Sequence, residues 1–317
     1  MKVFDQQQII AHLDLALAEQ RLEQGFIAFS AGKVQVPPVQ GFLFTAANGD
    51  CCVKSAFIEG SDTFTVKIST GFYDNPQQGL DSNDGLMLVL SARTGQPLAL
   101  LQDQGWLTAM RTALAGRIVA RLLAPREVSA IGILGTGLQA RLQLEHLAAV
   151  TDCRQVLAWG REDAALERYR AFAAGLGFNV QTTRDAEQVA RGANLIVCTT
   201  PSREPLLQSQ WIRPGTHITA VGADAPGKQE LDPALVARAD RVVVDSVRQC
   251  SQYGEVSHAL KAGLLGLHAL SELGSVLAGH VQGRENEQQV TLADLTGVAV
   301  QDAQIAGCVL EALSPRL

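Results

Sequence analysis

Residues 135–140 read Gly-Thr-Gly-Leu-Gln-Ala, a G-x-G-x-x-A run that follows the apolar segment SAIGIL and opens a helical pattern. The chemistry of such a run is pyrophosphate binding. Gly135 permits the tight turn, Gly137 lets the backbone approach the anion, and the small Ala140 lets helix and strand pack closely. Exposed N–H groups and the helix dipole then hold the charge. Gly135, Thr136, Gly137, Leu138, Gln139 and Ala140 are therefore candidate cofactor contacts. A glycine turn without a ligand is the plain alternative, and the strand-before, helix-after context argues against it. The next strand ends Ala158-Trp159-Gly160-Arg161. An NAD site places an acid near this point for the ribose 2′-OH. Arg161 stands there instead, where it can pair with a 2′-phosphate and stack on adenine. NADP(H) is thus the preferred cofactor and NAD(H) the alternative. Glu162 and Asp163 read as first-turn helix residues that favour the dipole.

A cation on an apolar stripe is the second chemical signal. Leu107, Met110, Leu114, Ile118 and Leu122 recur at helical spacing over residues 107–123, and Arg111 projects inside that stripe, about 40° from Leu107. A buried guanidinium needs an anionic partner. A substrate carboxylate held by two parallel hydrogen bonds would serve, and so would an internal Asp or Glu. Arg121 lies as close to the stripe on its other side, so spacing alone does not single out Arg111. In TFTVKIST, alternation turns Phe64, Val66 and Ile68 one way and Thr65, Lys67 and Ser69 the other. On its own, Lys67 then reads as a solvated lysine on a polar face. Lys54 is a weaker candidate on a neighbouring strand. Asp224 follows the strand HITAVGA at the carboxyl end of a parallel sheet, where ligands bind. A turn or cap before Pro226 would use an aspartate equally well.

The elements that must position these groups fall into two grammars. The first segment reads as a helix capped by Asp5 and ended by Gly25. From residue 41 to 102 the period is two, with turn pairs such as Asn48-Gly49 and Thr94-Gly95, which predicts an antiparallel sheet of about five or six strands. A helix over 107–123 follows, with Pro125 just beyond. From residue 129 strands alternate with helices: SAIGIL, QVLAWG, FNVQTT, ANLIVCTT, HITAVGA and RVVVDS are the strands. That alternation predicts an α/β chain with a doubly wound, Rossmann-type parallel sheet beside an α+β domain with a mostly antiparallel sheet. The expected division is 1–125 and 126–297, with a last helix in 298–317 returning to the first domain.

Composition agrees. The 317 residues are 47% hydrophobic, enough for a sizeable core, and 18% charged, which excludes a mainly disordered chain. A net charge of −6 and 5% aromatics argue against a nucleic-acid partner. No apolar run approaches the ~20 residues of a spanning helix, and the start carries no signal-peptide core, so no membrane partner and a cytoplasmic location are expected. The six cysteines read as reduced thiols. No metal is expected, because CxxC and HExxH spacings are absent. The six histidines form no constellation, and no G-x-S-x-G elbow suggests hydrolysis.

Blocks along the chain, VKIST (66–70), LTAMRTALAG (107–116), GILGTGLQA (132–140), TTPS (199–202), VGADAPGKQELD (221–232) and DLTGVAVQD (294–302), resemble the ornithine cyclodeaminase/μ-crystallin family over nearly the whole length. The resemblance implies an N-terminal domain for dimerisation and substrate binding, a Rossmann domain, and an active site in the cleft between them. A homodimer and a small amino- or imino-acid substrate follow from it. It matches Arg111 to the substrate-carboxylate arginine and Lys67 to a substrate-binding lysine that would also tune protons near an imine. It matches Asp224 to an acid/base aspartate. Cofactor contacts are expected at Thr112, Thr199, Thr200, Pro201, Val221, Gly222 and Ala223, and at Gly297. Lys228 and Glu230 are expected to be structural, by mutual or local pairing.

The chain also departs from the family's pattern. Residues 33–38, KVQVPP, lack the second carboxylate-clamping arginine of many members, and Cys51-Cys52-Val53-Lys54 lacks the acid of cyclodeaminases. Both absences disfavour ornithine cyclisation. The expected function is an NAD(P)H-dependent reductase of small α-imino acids, ketimine or cyclic, such as pyrroline-2-carboxylate. A cyclodeaminase or alanine-dehydrogenase-type deaminase using NAD, and a non-catalytic NADPH-binding protein, are the alternatives.

Overall fold

The computed structural model describes residues 1–314; residues 315–317, the end of the expected returning segment, lie outside the described residues. The chain forms two compact units, one of residues 1–111 and 298 onward, the other of residues 112–297.

The first unit opens with β1 (Lys2–Asp5), α1 (Gln6–His12) and α2 (Leu15–Ser30). The expected single helix ending at Gly25 is therefore two helices. Asp5 caps the first as expected. Asp14 accepts from the N–H groups of Ala16 and Leu17 and so starts a second helix. Gly25 lies inside α2, where a Cβ would sit 2.8 Å from Cγ of Gln304 on α11 (Ala299–Leu313). Its lack of a side chain lets two helices pack closely instead of ending one.

Strands β2 (Val34–Gln35), β3 (Gln40–Phe44), β4 (Gly49–Ile58), β5 (Thr63–Phe72), β6 (Asn83–Ser91) and β7 (Pro97–Gln102) are antiparallel neighbours, and β1 pairs with β7 in parallel. The sheet is mostly antiparallel. Its covered face carries Lys54 and Ala56 of β4, Thr65 and Lys67 of β5, Met87 and Val89 of β6, and Ala99 and Leu101 of β7. Helix α11 packs against β4, β5, β6 and α2. Helix α3 (Trp106–Leu123) carries the chain into the second unit, so the division falls within this helix rather than past its end at residue 125.

The second unit holds β8 (Ile131–Leu134), α4 (Leu138–Leu147), β9 (Gln155–Trp159), α5 (Asp163–Gly175), β10 (Asn179–Thr183), α6 (Ala186–Gly192), β11 (Leu195–Cys198) and β12 (His217–Ala220). It continues with α7 (Pro233–Arg238), β13 (Arg241–Val244), α8 (Val247–Cys250), α9 (Glu255–Lys261), β14 (Leu270–Glu272), α10 (Leu273–Leu277) and β15 (Thr291–Asp294). The sheet order is β10-β9-β8-β11-β12-β15-β13-β14, with every pairing parallel. Strands β8, β11, β12 and β15 are buried along their whole length, as a sheet covered on both faces requires. All six expected parallel strands form. β14 and β15 were not expected, because LSE and TLAD are too short to stand out from loop sequence.

Candidate active site

Alternation along β5 brings Thr65 and Lys67 to one face as read, but that face is the covered one. Lys67 is 2% exposed while Ile68 is 37% exposed. The expectation of a solvated lysine is therefore corrected: Ala56, Met87, Val89, Ala99 and Leu101 on neighbouring strands bury that side of the sheet and carry Lys67 with them. The register sets Lys54 directly opposite Lys67, a like-charge pair that costs stability without an anion nearby.

That anion is Asp302 on α11. Lys67 Nζ donates to Asp302 Oδ1 at 3.1 Å and lies 3.0 Å from Oδ2. Arg111 Nε lies 3.2 Å from the same Oδ1, too poorly aligned for a hydrogen bond, while Arg111 Nη1 donates to Gln301 Oε1 at 3.0 Å. Arg111 is buried whereas Arg121 is exposed, which separates the two arginines that helical spacing could not. The internal carboxylate weighed as an alternative partner for Arg111 is thus present, and it is shared with Lys67.

Burial, and then the neighbouring Arg111 and Lys54, push the Lys67 ammonium down to about 8 against the pull of Asp302. Burial opposes ionisation of Asp302, yet Lys67, Arg111 and Lys54 together hold its carboxyl below the usual value. Asp103, just before α3, is 1% exposed. One of its oxygens accepts from Leu107 N–H at 2.8 Å and the other has no hydrogen-bond partner. Burial pushes its carboxyl up to about 6. Asp302, Gln301 and Asp103 escaped the sequence reading. The D of DLTGVAVQD that ends the block was visible, but nothing local to it points to Lys67.

In the second unit the glycine run is built as its sequence implies. Gly135 has φ +116, and a Cβ there would meet Thr199 Oγ1 at 2.5 Å. Gly135 N–H donates to the Trp159 carbonyl at 3.0 Å, and Thr199 donates through both N–H and hydroxyl to the Leu134 carbonyl. Gly137 begins α4 with no side-chain cap and open space where a Cβ would stand. Leu138 is exposed, and Ala140 is fully buried in the packing of helix on sheet. The turn, the uncapped helix start and the open approach over Gly137 fit a dinucleotide pyrophosphate. Gly160 is a further requirement not foreseen: a Cβ there would meet Thr136 Cγ2 at 2.9 Å.

Arg161 is exposed at the end of β9 and takes no ion-pair partner among the described residues. Thr200 is buried and Pro201 exposed beyond β11. Val221 and Ala223 are buried beyond β12 and flank Gly222. The Thr112 carbonyl accepts from Gln143 Nε2 at 3.1 Å. Gly297, at φ +81, donates its N–H to Asp245 Oδ2 at 2.6 Å. Asp224 is exposed and pairs with Lys228 at 2.6 Å. Glu230 pairs with neither: it is fully buried and takes its hydrogen bonds from Thr200 and Gly222. Of the mutual or local pairing expected for Lys228 and Glu230, the local form is present and the mutual one is not. The half-buried Lys228 bonds the exposed Asp224 four residues back along its own loop, and Glu230 turns inward to two main-chain N–H groups and the Thr200 hydroxyl.

A parallel sheet with a glycine-turn loop in the second unit, together with a first unit that carries buried Lys67 and Arg111, defines an α/β protein of the dinucleotide-binding class. Residues 1–316 match the ornithine cyclodeaminase/mu-crystallin family, and the chain belongs to it. It is 44% identical over 288 residues to a putative dehydrogenase of Rhizobium meliloti, covering 90% of this chain and 87% of that one. It is 37% identical to an iminosuccinate reductase of Paracoccus denitrificans, covering 81% of this chain and 79% of the relative.

Among solved structures, Thermococcus litoralis Δ1-pyrroline-2-carboxylate reductase in complex with NADH and L-proline superposes with a TM-score of 0.92 at 28% identity, covering 98% of this chain and 97% of that one. An archaeal alanine dehydrogenase dimer with bound NAD gives a TM-score of 0.91 at 34% identity, covering 100% and 97%. No helix among the described residues is long and apolar enough to cross a membrane.

Proposed function

We propose that this protein is an NAD(P)H-dependent reductase of small α-imino acids, ketimine or cyclic. The observation that carries the reading is the buried cationic cluster of Lys67 and Arg111, preorganised by Asp302 within 3.0 to 3.2 Å. Such a cluster selects an organic acid. A bound nicotinamide dinucleotide supplies the hydride that adds to the imine carbon. The nitrogen takes up a proton, and the products are the amino acid and oxidised cofactor.

In this reading Arg111 holds the substrate carboxylate and Lys67 supports it, with Lys54 behind them. Lys67 keeps a proton up to about pH 8 and so can supply one near the imine nitrogen. Asp224 orients or protonates the nitrogen once freed from Lys228. The 135–140 loop grips the pyrophosphate, and Arg161 gives preference to NADP(H) over NAD(H). The expected contacts at Thr112, Thr199, Thr200, Pro201, Val221, Gly222, Ala223 and Gly297 line the rest of the cofactor's path. A homodimer is part of the proposal. The exposed side chains of Phe42, Leu43 and Phe44 on β3, with Ile68, support a partner surface on the first unit.

The relatives that reduce iminosuccinate and pyrroline-2-carboxylate support imine reduction; the alanine dehydrogenase with bound NAD favours a second reading, amino-acid oxidation with NAD. One assay panel decides. NADPH and NADH oxidation are followed with pyrroline-2-carboxylate, iminosuccinate and pyruvate-derived ketimines, beside NAD reduction by alanine and ammonia release from ornithine. Imine-dependent NAD(P)H oxidation is expected. Turnover confined to the amino acids, or none at all, overturns the proposal.

A further inference from the structure

Glu230 has no part in the reaction just proposed, yet it ties together segments assigned to the cofactor. Its carboxylate is fully buried, and no cation pairs with it among the described residues. A buried carboxylate without a counter-ion costs stability unless donors satisfy it. Here the donors belong to two different loops. Oε1 accepts from the Thr200 N–H at 2.6 Å and the Thr200 hydroxyl at 2.7 Å. Oε2 accepts from the Gly222 N–H at 3.0 Å. Thr200 follows β11 and Gly222 follows β12, at the carboxyl ends of adjacent strands. The fit leaves no room at Gly222, where a Cβ would overlap both the Thr200 carbonyl oxygen and Glu230 Oε2.

Glu230 is itself held in place. Its N–H donates to Glu255 Oε1 at 2.8 Å, and the Leu231 N–H donates to Glu255 Oε2 at 3.0 Å. Next in line, the Val256 N–H donates to Asp294 Oδ2 at 3.0 Å, at the end of β15. A chain of buried carboxylates thus braces the loops after β11 and β12 from below. In a doubly wound sheet, one mononucleotide half lies over the strands on each side of the switch point. Here β8, β9 and β10 serve the half held by the 135–140 loop, and β11 and β12 serve the other.

We propose that Glu230 is a positioning residue for the nicotinamide half of the dinucleotide, setting the spacing of the Thr200 and Gly222 main chains that receive it. This rests on the cofactor reading above. The test compares wild type with Glu230→Gln, whose amide keeps the volume but turns a donor toward a main-chain N–H, and with Thr200→Val, which removes the hydroxyl bond to Glu230 together with the longer one that the hydroxyl accepts from Ser202 N–H, and keeps the Thr200 N–H bond. Dissociation constants are measured for NADPH, NADH and adenosine 2′,5′-bisphosphate, alongside melting temperatures.

Glu230→Gln should weaken both dinucleotides by about tenfold to a hundredfold, the loss expected when a charged hydrogen bond becomes a clash. The adenosine fragment should bind within about twofold of wild type, on the same reasoning that its contacts are untouched. Thr200→Val should show the same split to a smaller degree, and it decides the matter if Glu230→Gln does not fold. Unchanged dinucleotide binding in the variants overturns the inference alone, as does equal loss of fragment and dinucleotide. A wild-type chain that binds neither dinucleotide overturns the cofactor reading and this inference with it.

Discussion

Lys67 and Asp302 stand 235 positions apart in the chain and meet as a fully buried ion pair at 3.0 Å, with Arg111 at 3.2 Å on the same carboxylate. Among the described residues Asp302 is the acid paired with both cations, so the geometry of both depends on it. Asp302→Asn keeps the volume and removes the charge. Breaking a buried pair of this kind costs about 3–5 kcal/mol, so the melting temperature should fall by several degrees. In the folded variant, KM for the imino acid should rise at least about tenfold, as loss of a charged contact implies. The dissociation constant for NAD(P)H should stay near wild type. Equal loss of both ligands would assign Asp302 a purely architectural role.

Arg111→Ala should raise KM for the imino acid by about one to two orders of magnitude, the worth of a charge-assisted carboxylate contact, with NADPH affinity unchanged. Arg111→Lys should recover only part of this, since an ammonium lacks the planar two-point grip. Full activity in Arg111→Ala would remove the carboxylate assignment.

The Lys67 ammonium sits at about 8 against an ordinary 10.5, chiefly through burial. Above pH 8 the folded protein releases this proton while the unfolded chain keeps it until about 10.5. The unfolded state therefore binds more protons in that window, and the contribution of Lys67 to stability rises with pH there. Activity should move the other way, with kcat/KM for the imino acid falling as pH passes about 8. A Lys67→Met variant should lose both trends. A pH–rate profile that is level from 7 to 9.5 in wild type would separate Lys67 from the chemistry.

Arg161→Ala should weaken NADPH by about tenfold or more and leave NADH within about twofold, because only the 2′-phosphate loses a charged partner. Titrating each cofactor by fluorescence settles it. Parallel losses would mean that Arg161 supports adenosine without reading the phosphate.

The buried acids of the second unit give a stability signature of opposite sign to Lys67. Burial raises Glu230 to about 7 from 4.5 and Asp294 to about 7 from 3.8, and raises Glu255 well above its ordinary value. The folded chain keeps these protons where the unfolded chain has lost them. Their stabilisation is complete below about pH 4 and lost as pH climbs through about 7. Thermal melting should therefore be higher at pH 5.5 than at pH 8, and Asp294→Asn should flatten the difference. A melting temperature that rises over this range would contradict the burial of these groups.

What proved legible in the chain was what is local. The 135–140 run carries its strand, its turn and its helix within a few residues, so the phosphate loop could be read directly. The six main strands of the parallel sheet announce themselves by their apolar runs. Arg111 could be narrowed to a pair with Arg121 by helical angle, because angle depends only on spacing. The helix break at Asp14 and the passage of α2 through Gly25 were misread, because capping and close packing there depend on side-chain hydrogen bonding and on α11.

The amino-acid order alone determined which side chains share a face: Thr65 with Lys67, Leu107 with Arg111, Gly135 with the start of α4. It could not determine which face would be covered. That was decided when α11, drawn from the far end of the chain, packed on β4, β5 and β6, burying Lys67 and delivering Asp302 to it. The same holds for Glu230, whose donors come from two strands that meet only in the assembled sheet. Periodicity is a short-range property of the backbone, whereas burial and ion pairing between distant segments exist only after the layers have closed.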